Sequence, residues 1–93
     1  MKIATNGAGA TTGAASATIA IPNDSSGIRA RSVMVSVQGA TYVMAGNSSV
    51  TATTSSVIVN AGEPLELDVL GQTHIAHLQL TAAQRITVNA IES

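Results

Sequence analysis

Two histidines, His74 and His77, are the first residues whose chemistry draws attention. On a strand, side chains three positions apart point to opposite faces, so this pair cannot chelate one metal ion. His74 shares a face with Ala76 and Leu78, the apolar face of its strand, whereas His77 lies with Ile75 and Gln79 on the other. The expectation is one packed or interface histidine and one surface histidine. A symmetric oligomer could still gather copies of one of them around an axis. Glu66 and Asp68 do share a face, roughly 7 Å apart by strand rise, within the range of an inverting glycosidase pair. Nothing in the sequence divides them into an acid and a base, and no aromatic platform is available for a sugar. They read as solvated carboxylates whose charge also deters edge-to-edge aggregation. Glu63 adds a third carboxylate nearby, without support for a Ca²⁺ site. The stretch GAGATTG (7–13) has Thr12 where a dinucleotide fingerprint needs glycine, and no Lys-Ser/Thr follows for a nucleotide phosphate loop. Serines are plentiful, but no G-x-S-x-G frames one as a nucleophile. No catalytic, cofactor-binding or metal-ligating residue is assigned, and the chain is not expected to be an enzyme.

The elements that would position these groups read as strands. The stretch from Ser55 to Leu80 is expected to form a three-stranded meander. Val57–Val59 run into the turn Asn60-Ala61-Gly62. Leu65, Leu67 and Val69 then alternate with Glu66 and Asp68, the period of a half-buried strand. After Gly71-Gln72, the residues Ala76, Leu78 and Leu80 carry one face of the third strand. Upstream, Ala17, Ile19 and Ile21 alternate with Thr18 and Ala20 until Pro22, which cannot donate to a ladder. The cluster NDSSG (23–27) is a turn. Val33, Val35 and Val37 line one face of the next strand, and Gly39-Ala40 is read as a hairpin connection to Thr41–Ala45. Val50–Ser56 is either a strand or an extended loop. Ile86, Val88 and Ala90 share a face of the last strand. Helical spacing is limited to a single turn at most. Seven or eight short strands, about ten residues apart, predict an all-β antiparallel sandwich or barrel over residues 16–93. Residues 1–15, rich in Gly, Ala and Thr, read as a flexible arm that could order against a neighbouring subunit or pair as an edge strand near Ile3.

Composition bounds the function further. Ninety-three residues make one small domain, with 45% hydrophobic residues but a single aromatic, Tyr42, and no cysteine. A core of small aliphatics lacks the ~150–250 Å² that each large aromatic buries. Disulfides cannot compensate, so oligomerisation is the remaining common way to bury more surface. Charged residues make up only 10%, against about 25% in ordinary soluble domains, so the surface must be largely Ser, Thr, Asn, Gln and Gly. Such a neutral surface suits close contact with protein. A net charge of −1 and four fixed cations leave no basic face for phosphates, which excludes nucleic acid as a partner. No apolar run reaches the ~18 residues of a membrane span. The opening Met1-Lys2 is followed by polar residues that break up a signal-peptide core, so it is read as no signal. Two sequon matches, at Asn23 and Asn47, fall in polar turns and carry no weight without secretion.

One resemblance covers most of the chain, from Ile19 to Glu92. The segments that carry it are Tyr42-Val43 before Gly46, AGEPLELDV (61–69), and THIA (73–76), followed by the final ITVNAIE (86–92). This pattern resembles small β-sandwich virion proteins of tailed bacteriophages, many of which serve as head decoration (cement) proteins. The resemblance implies a structural protein whose partner is the major capsid protein. It would bind the outer capsid surface, often as a homotrimer at quasi-threefold positions, and clamp neighbouring capsomers. It also implies a place on the capsid surface of the virion, and in the host cytoplasm during assembly. The rival readings are a tail or neck adaptor of the same virion and a carbohydrate- or receptor-binding fibre module.

Overall fold

A computed structural model describes residues 2–23, 27, 30–69 and 71–92. The turn expected at 23–27 and the conformations of Ile28, Arg29 and Leu70 fall mostly outside the described residues. The described residues form eight strands and no helix: β1 (Lys2–Thr11), β2 (Ala17–Ala20), β3 (Ser32–Val37), β4 (Thr41–Gly46), β5 (Val57–Val59), β6 (Leu65–Asp68), β7 (His74–Gln79) and β8 (Arg85–Glu92). They build two four-stranded antiparallel sheets, β1-β8-β3-β6 and β2-β7-β4-β5, called here the first and second sheet. The shortest dimension is 18 Å, room for two sheets about 10 Å apart and no third layer. The expected all-β sandwich is the observed fold.

Its strands are those of the hydrophobic pattern. Val33 faces Ala90, Val35 faces Val88, and Val37 faces Ile86 across the β3–β8 ladder. Five of these six side chains are 0% exposed and Val37 is 9%. Leu67 and Leu65 of β6 continue the same rows, pairing with Val33 and Val35. From the second sheet, Ile19, Val43, Val59 and Ile75 close the core from the other side.

The connectivity differs from the expected one. The chain changes sheet at every connection except β4–β5. Gly39-Ala40 therefore joins strands of opposite sheets instead of turning a hairpin, and the 55–80 stretch is no meander. Two-residue hairpins of type I′ or II′ need positive φ in the turn. Among the described residues only Gly27, Gly62 and Gly71 have it, so Gly39 does not. At Gly62 (φ 76°) a tight turn does form, with the Glu63 amide donating to the Asn60 carbonyl at 3.1 Å. Pro64 follows, and the chain leaves for the other sheet after this one bridge, Asn60 opposite Glu63. Val50–Ser56 is a loop.

The N-terminal stretch expected as a flexible arm is strand β1, which pairs antiparallel with β8 from Lys2↔Glu92 to Thr11↔Arg85, with an irregularity between Ile3 and Gly7. The alternative of edge pairing near Ile3 matches this register. Its composition hides a period of two in small residues. Ala8 and Ala10 face inward and pack on the core. Gly7 and Gly9 face outward, where an added Cβ would meet the Asn89 side chain at 2.5 Å and the Arg85 guanidinium at 2.7 Å. Glycine here lets two long β8 side chains lie flat across the strand. Thr12 locks the end of the ladder. Its amide donates to the Gln84 carbonyl, and its hydroxyl accepts from the Gln84 amide, both at 2.8 Å.

Deleting residues 1–11 should therefore damage the fold, not merely a binding arm. It removes a whole ladder, at about 0.5–1.5 kcal/mol per net hydrogen bond, and uncovers β8. The expected loss is about 3 kcal/mol or more, a fall in Tm of roughly 12 °C or more for a domain of this size. Thermal melts of the truncated and full chains check it; an unchanged Tm would contradict the structural role of β1.

Candidate interaction surface

The alternation of each strand decides what the two outer faces of the sandwich display. On the first sheet most outward positions are polar or charged, with Arg85, Thr87 and Asn89 on β8, Ser32 and Ser36 on β3, and Glu66 and Asp68 on β6, and Met34 of β3 lies among them. Glu66 sits opposite Met34, and Asp68 opposite Ser32. Both carboxylates are exposed on one face, as their spacing requires. Among the described residues no three metal-ligating side chains come together, and Glu63 lies apart from them in its own exposed turn. GAGATTG is extended strand running into a bend, not a loop that wraps an anion.

The second sheet is different. Its four strands, ATIA, TYVMAG, VIV and HIAHLQ, contain no Asp, Glu, Lys or Arg. Its outer face carries one row in which Leu78, Tyr42 and Ile58 stand side by side on β7, β4 and β5, and a second in which Thr18, Ala76 and Met44 do the same. Met44 is 48% exposed and Ile58 45%, while Ala76 is buried at the foot of its row. Leu80, just beyond β7, is also exposed.

This arrangement reverses the expected orientation of β7. Ile75 and His77 point into the core, and His74, Ala76 and Leu78 point outward. Register explains the reversal. Ile75 falls between Ile19 and Ala45, and His77 between Ala17 and Val43, in rows where Ile19, Ala45 and Val43 already face the interior. An inward Leu78 would force Tyr42 and Ile58 inward with it. Counting apolar residues on β7 alone picks the face that looks out.

His77 is thus the buried histidine and His74 the partly exposed one. His77 is 1% exposed, and neither of its ring nitrogens has a hydrogen-bond partner. Desolvation pushes its pKa below the ordinary 6.5, because the charged ring would lie among aliphatic side chains. At His74, Nδ1 lies 2.8 Å from the Thr73 hydroxyl. The two rings point to opposite sides of the sheet and cannot share a ligand.

Beside the second sheet, where β5 and β6 leave the sandwich open, lies a groove of about 350 Å³ walled by Val43, Met44, Val57 and Leu67 and rimmed by Ser55 and Ser56. Val57, on the inward side of the short edge strand β5, is 52% exposed there. The 47–56 loop that borders the groove is pinned. The Ala52 amide donates to the Ser16 hydroxyl at 2.8 Å, and the Thr53 amide to the Ser56 hydroxyl at 3.0 Å. The chain matches no known protein family, no curated protein and no solved structure.

His77 makes stability depend on pH with a definite sign. Above about pH 6.5 the ring is neutral in both folded and unfolded chains, and the fold has its full stability. As pH falls below 6.5 the unfolded chain takes up a proton that the folded core refuses. Stability then drops by at most about 1.4 kcal/mol per pH unit until the folded pKa is reached. Replacing the unpaired ring with a hydrocarbon of similar size, His77→Leu, should stabilise the protein by about 1 kcal/mol at pH 7.5 and flatten its acid dependence. Urea melts of both proteins from pH 7.5 to 5 check this; parallel pH profiles would contradict it.

Proposed function

We propose that this protein is a structural component of a phage virion, a decoration protein that sits on the outer surface of the head and stabilises contacts between capsomers. The observation that carries the reading is the two-faced sandwich. One outer face carries charged side chains, and the other is largely apolar, with no Asp, Glu, Lys or Arg on any of its four strands. A subunit that works as part of an assembly needs such a face. The resemblance of residues 19–92 to phage head decoration proteins supports the same assignment, with the major capsid protein as partner and a homotrimer as the working form. The small aliphatic core, held by two sheets and no disulfide, fits a subunit that gains buried surface by assembling.

The mechanism that follows is additive. Each contact with the capsid is modest, and a multimer that engages several capsomers at once converts later contacts into intramolecular ones, raising avidity without new chemistry. An arm of residues 1–15 reaching to a neighbour has no part in it, because residues 2–11 are committed to β1.

Heads and tails purified separately from the phage that encodes this chain, and stripped of the protein, test the reading by co-sedimentation. Saturable binding to heads in copy numbers divisible by three, with greater resistance of those heads to heat, is the expected result. Binding to tails or necks alone would replace decoration with the adaptor role, and binding to neither would remove both.

A further inference from the structure

The uncharged outer face of the second sheet is the largest feature that the fold does not explain. β7 turns its richer apolar side away from the core, and β4 and β5 place Tyr42, Met44 and Ile58 beside it. A face exposed to water in the working protein would be expected to carry charges that block unwanted pairing. The first sheet carries them, in Glu66, Asp68 and Arg85; no strand of the second does. The adjoining loop, residues 47–56, is equally free of charge.

From this pattern we infer that the outer face of the second sheet is where copies of this chain pack against one another, their Tyr42, Met44, Ile58 and Leu78 converging on a symmetry axis. Identity of the occupant follows from charge. Side chains at a symmetry axis meet their own copies, so an Asp, Glu, Lys or Arg there would confront like charges and destabilise the contact. A face with none of them matches itself. A partner recognised by charge complementarity would find nothing here to pair with.

Area sets the strength. Four strands about 4.8 Å apart, with six residues in β4 and β7 but four in β2 and three in β5, span a footprint of roughly 300 Å². That is well under half of the ~800 Å² that each partner gives to a standard stable interface. Two copies back to back would therefore associate reversibly. Three copies around an axis, each touching two neighbours and adding the 47–56 loops, would hold more firmly. The inference deepens the multimer reading above and rests on it.

Sedimentation velocity on the full chain from about 10 to about 500 µM tests it, since association by this face must follow mass action. The wild type is expected to move to higher mass with concentration. Met44→Asp and Ile58→Asp, which plant a charge on the axis, should each weaken association at least tenfold, while Glu66→Lys on the opposite face should leave it unchanged. Circular dichroism and Tm establish that each variant is folded. If an aspartate variant melts early, Met44→Gln and Ile58→Thr replace the pair, with a weakening of threefold or more expected. Association that survives these substitutions would overturn the inference while leaving the multimer reading standing, because copies would then meet elsewhere. A wild type that stays monomeric at the highest concentration would overturn both.

Discussion

Everything in this structure leans on the contact between β3 and β8, two strands almost fifty residues apart in sequence. Val33, Val35 and Val37 lie in register with Ala90, Val88 and Ile86 and form the floor of the core. The ladder fixes which side of each strand faces inward, because a slip of one residue would send every side chain to the wrong face. Once β8 is set, β1 and β3 flank it, and β6 extends the rows past Val33 and Val35. The second sheet then has one way to close the sandwich, with Ile19, Val43 and Ile75 turned toward that floor. The aromatic-poor core makes this register the main source of order, since no large ring anchors the layers.

Much of the fold can be read in the chain because a period of two survives wherever one side of a strand is buried. Val33 to Val37, Leu65 to Val69 and Ile86 to Ala90 show it, and each has the expected side inward. Pairing partners are another matter. The connection at Gly39-Ala40 looks like a hairpin by length, but only backbone conformation distinguishes a hairpin from a crossing between sheets, and Gly39 lacks the positive φ. The meander fails for the same reason, because short loops do not say which sheet comes next. In β1 the periodicity is present but written in Gly and Ala, so hydrophobicity does not register it.

The site was less legible than the fold. The separation of the two histidines onto opposite faces follows from spacing alone, yet the choice of which one is buried does not. Ala76, Leu78 and Leu80 outweigh Ile75 on their strand, and only the rows formed with β2 and β4 turn Ile75 and His77 inward. The same rows gather Tyr42, Met44 and Ile58, separated by loops in the sequence, into one outer surface. What was visible beforehand was the scarcity of charge. Its segregation, with four strands of one sheet bearing none, appears only when the strands are assigned to sheets. The core keeps an unpaired imidazole inside while an apolar face points outward, which is the pattern the proposed contact between copies would use.

The most direct test of this account is solvent paramagnetic relaxation of methyl signals in the NMR spectrum of a dilute sample. With a soluble gadolinium chelate, the methyls of Met44 and Ile58 should broaden strongly, while those of Ile75 and Ile86 stay sharp. Raising the protein concentration should then protect Met44 and Ile58 as copies come together. Broadening of Ile75 in the dilute sample, with Met44 and Ile58 already protected, would mean that the second sheet faces the other way and that the account of its surface is wrong.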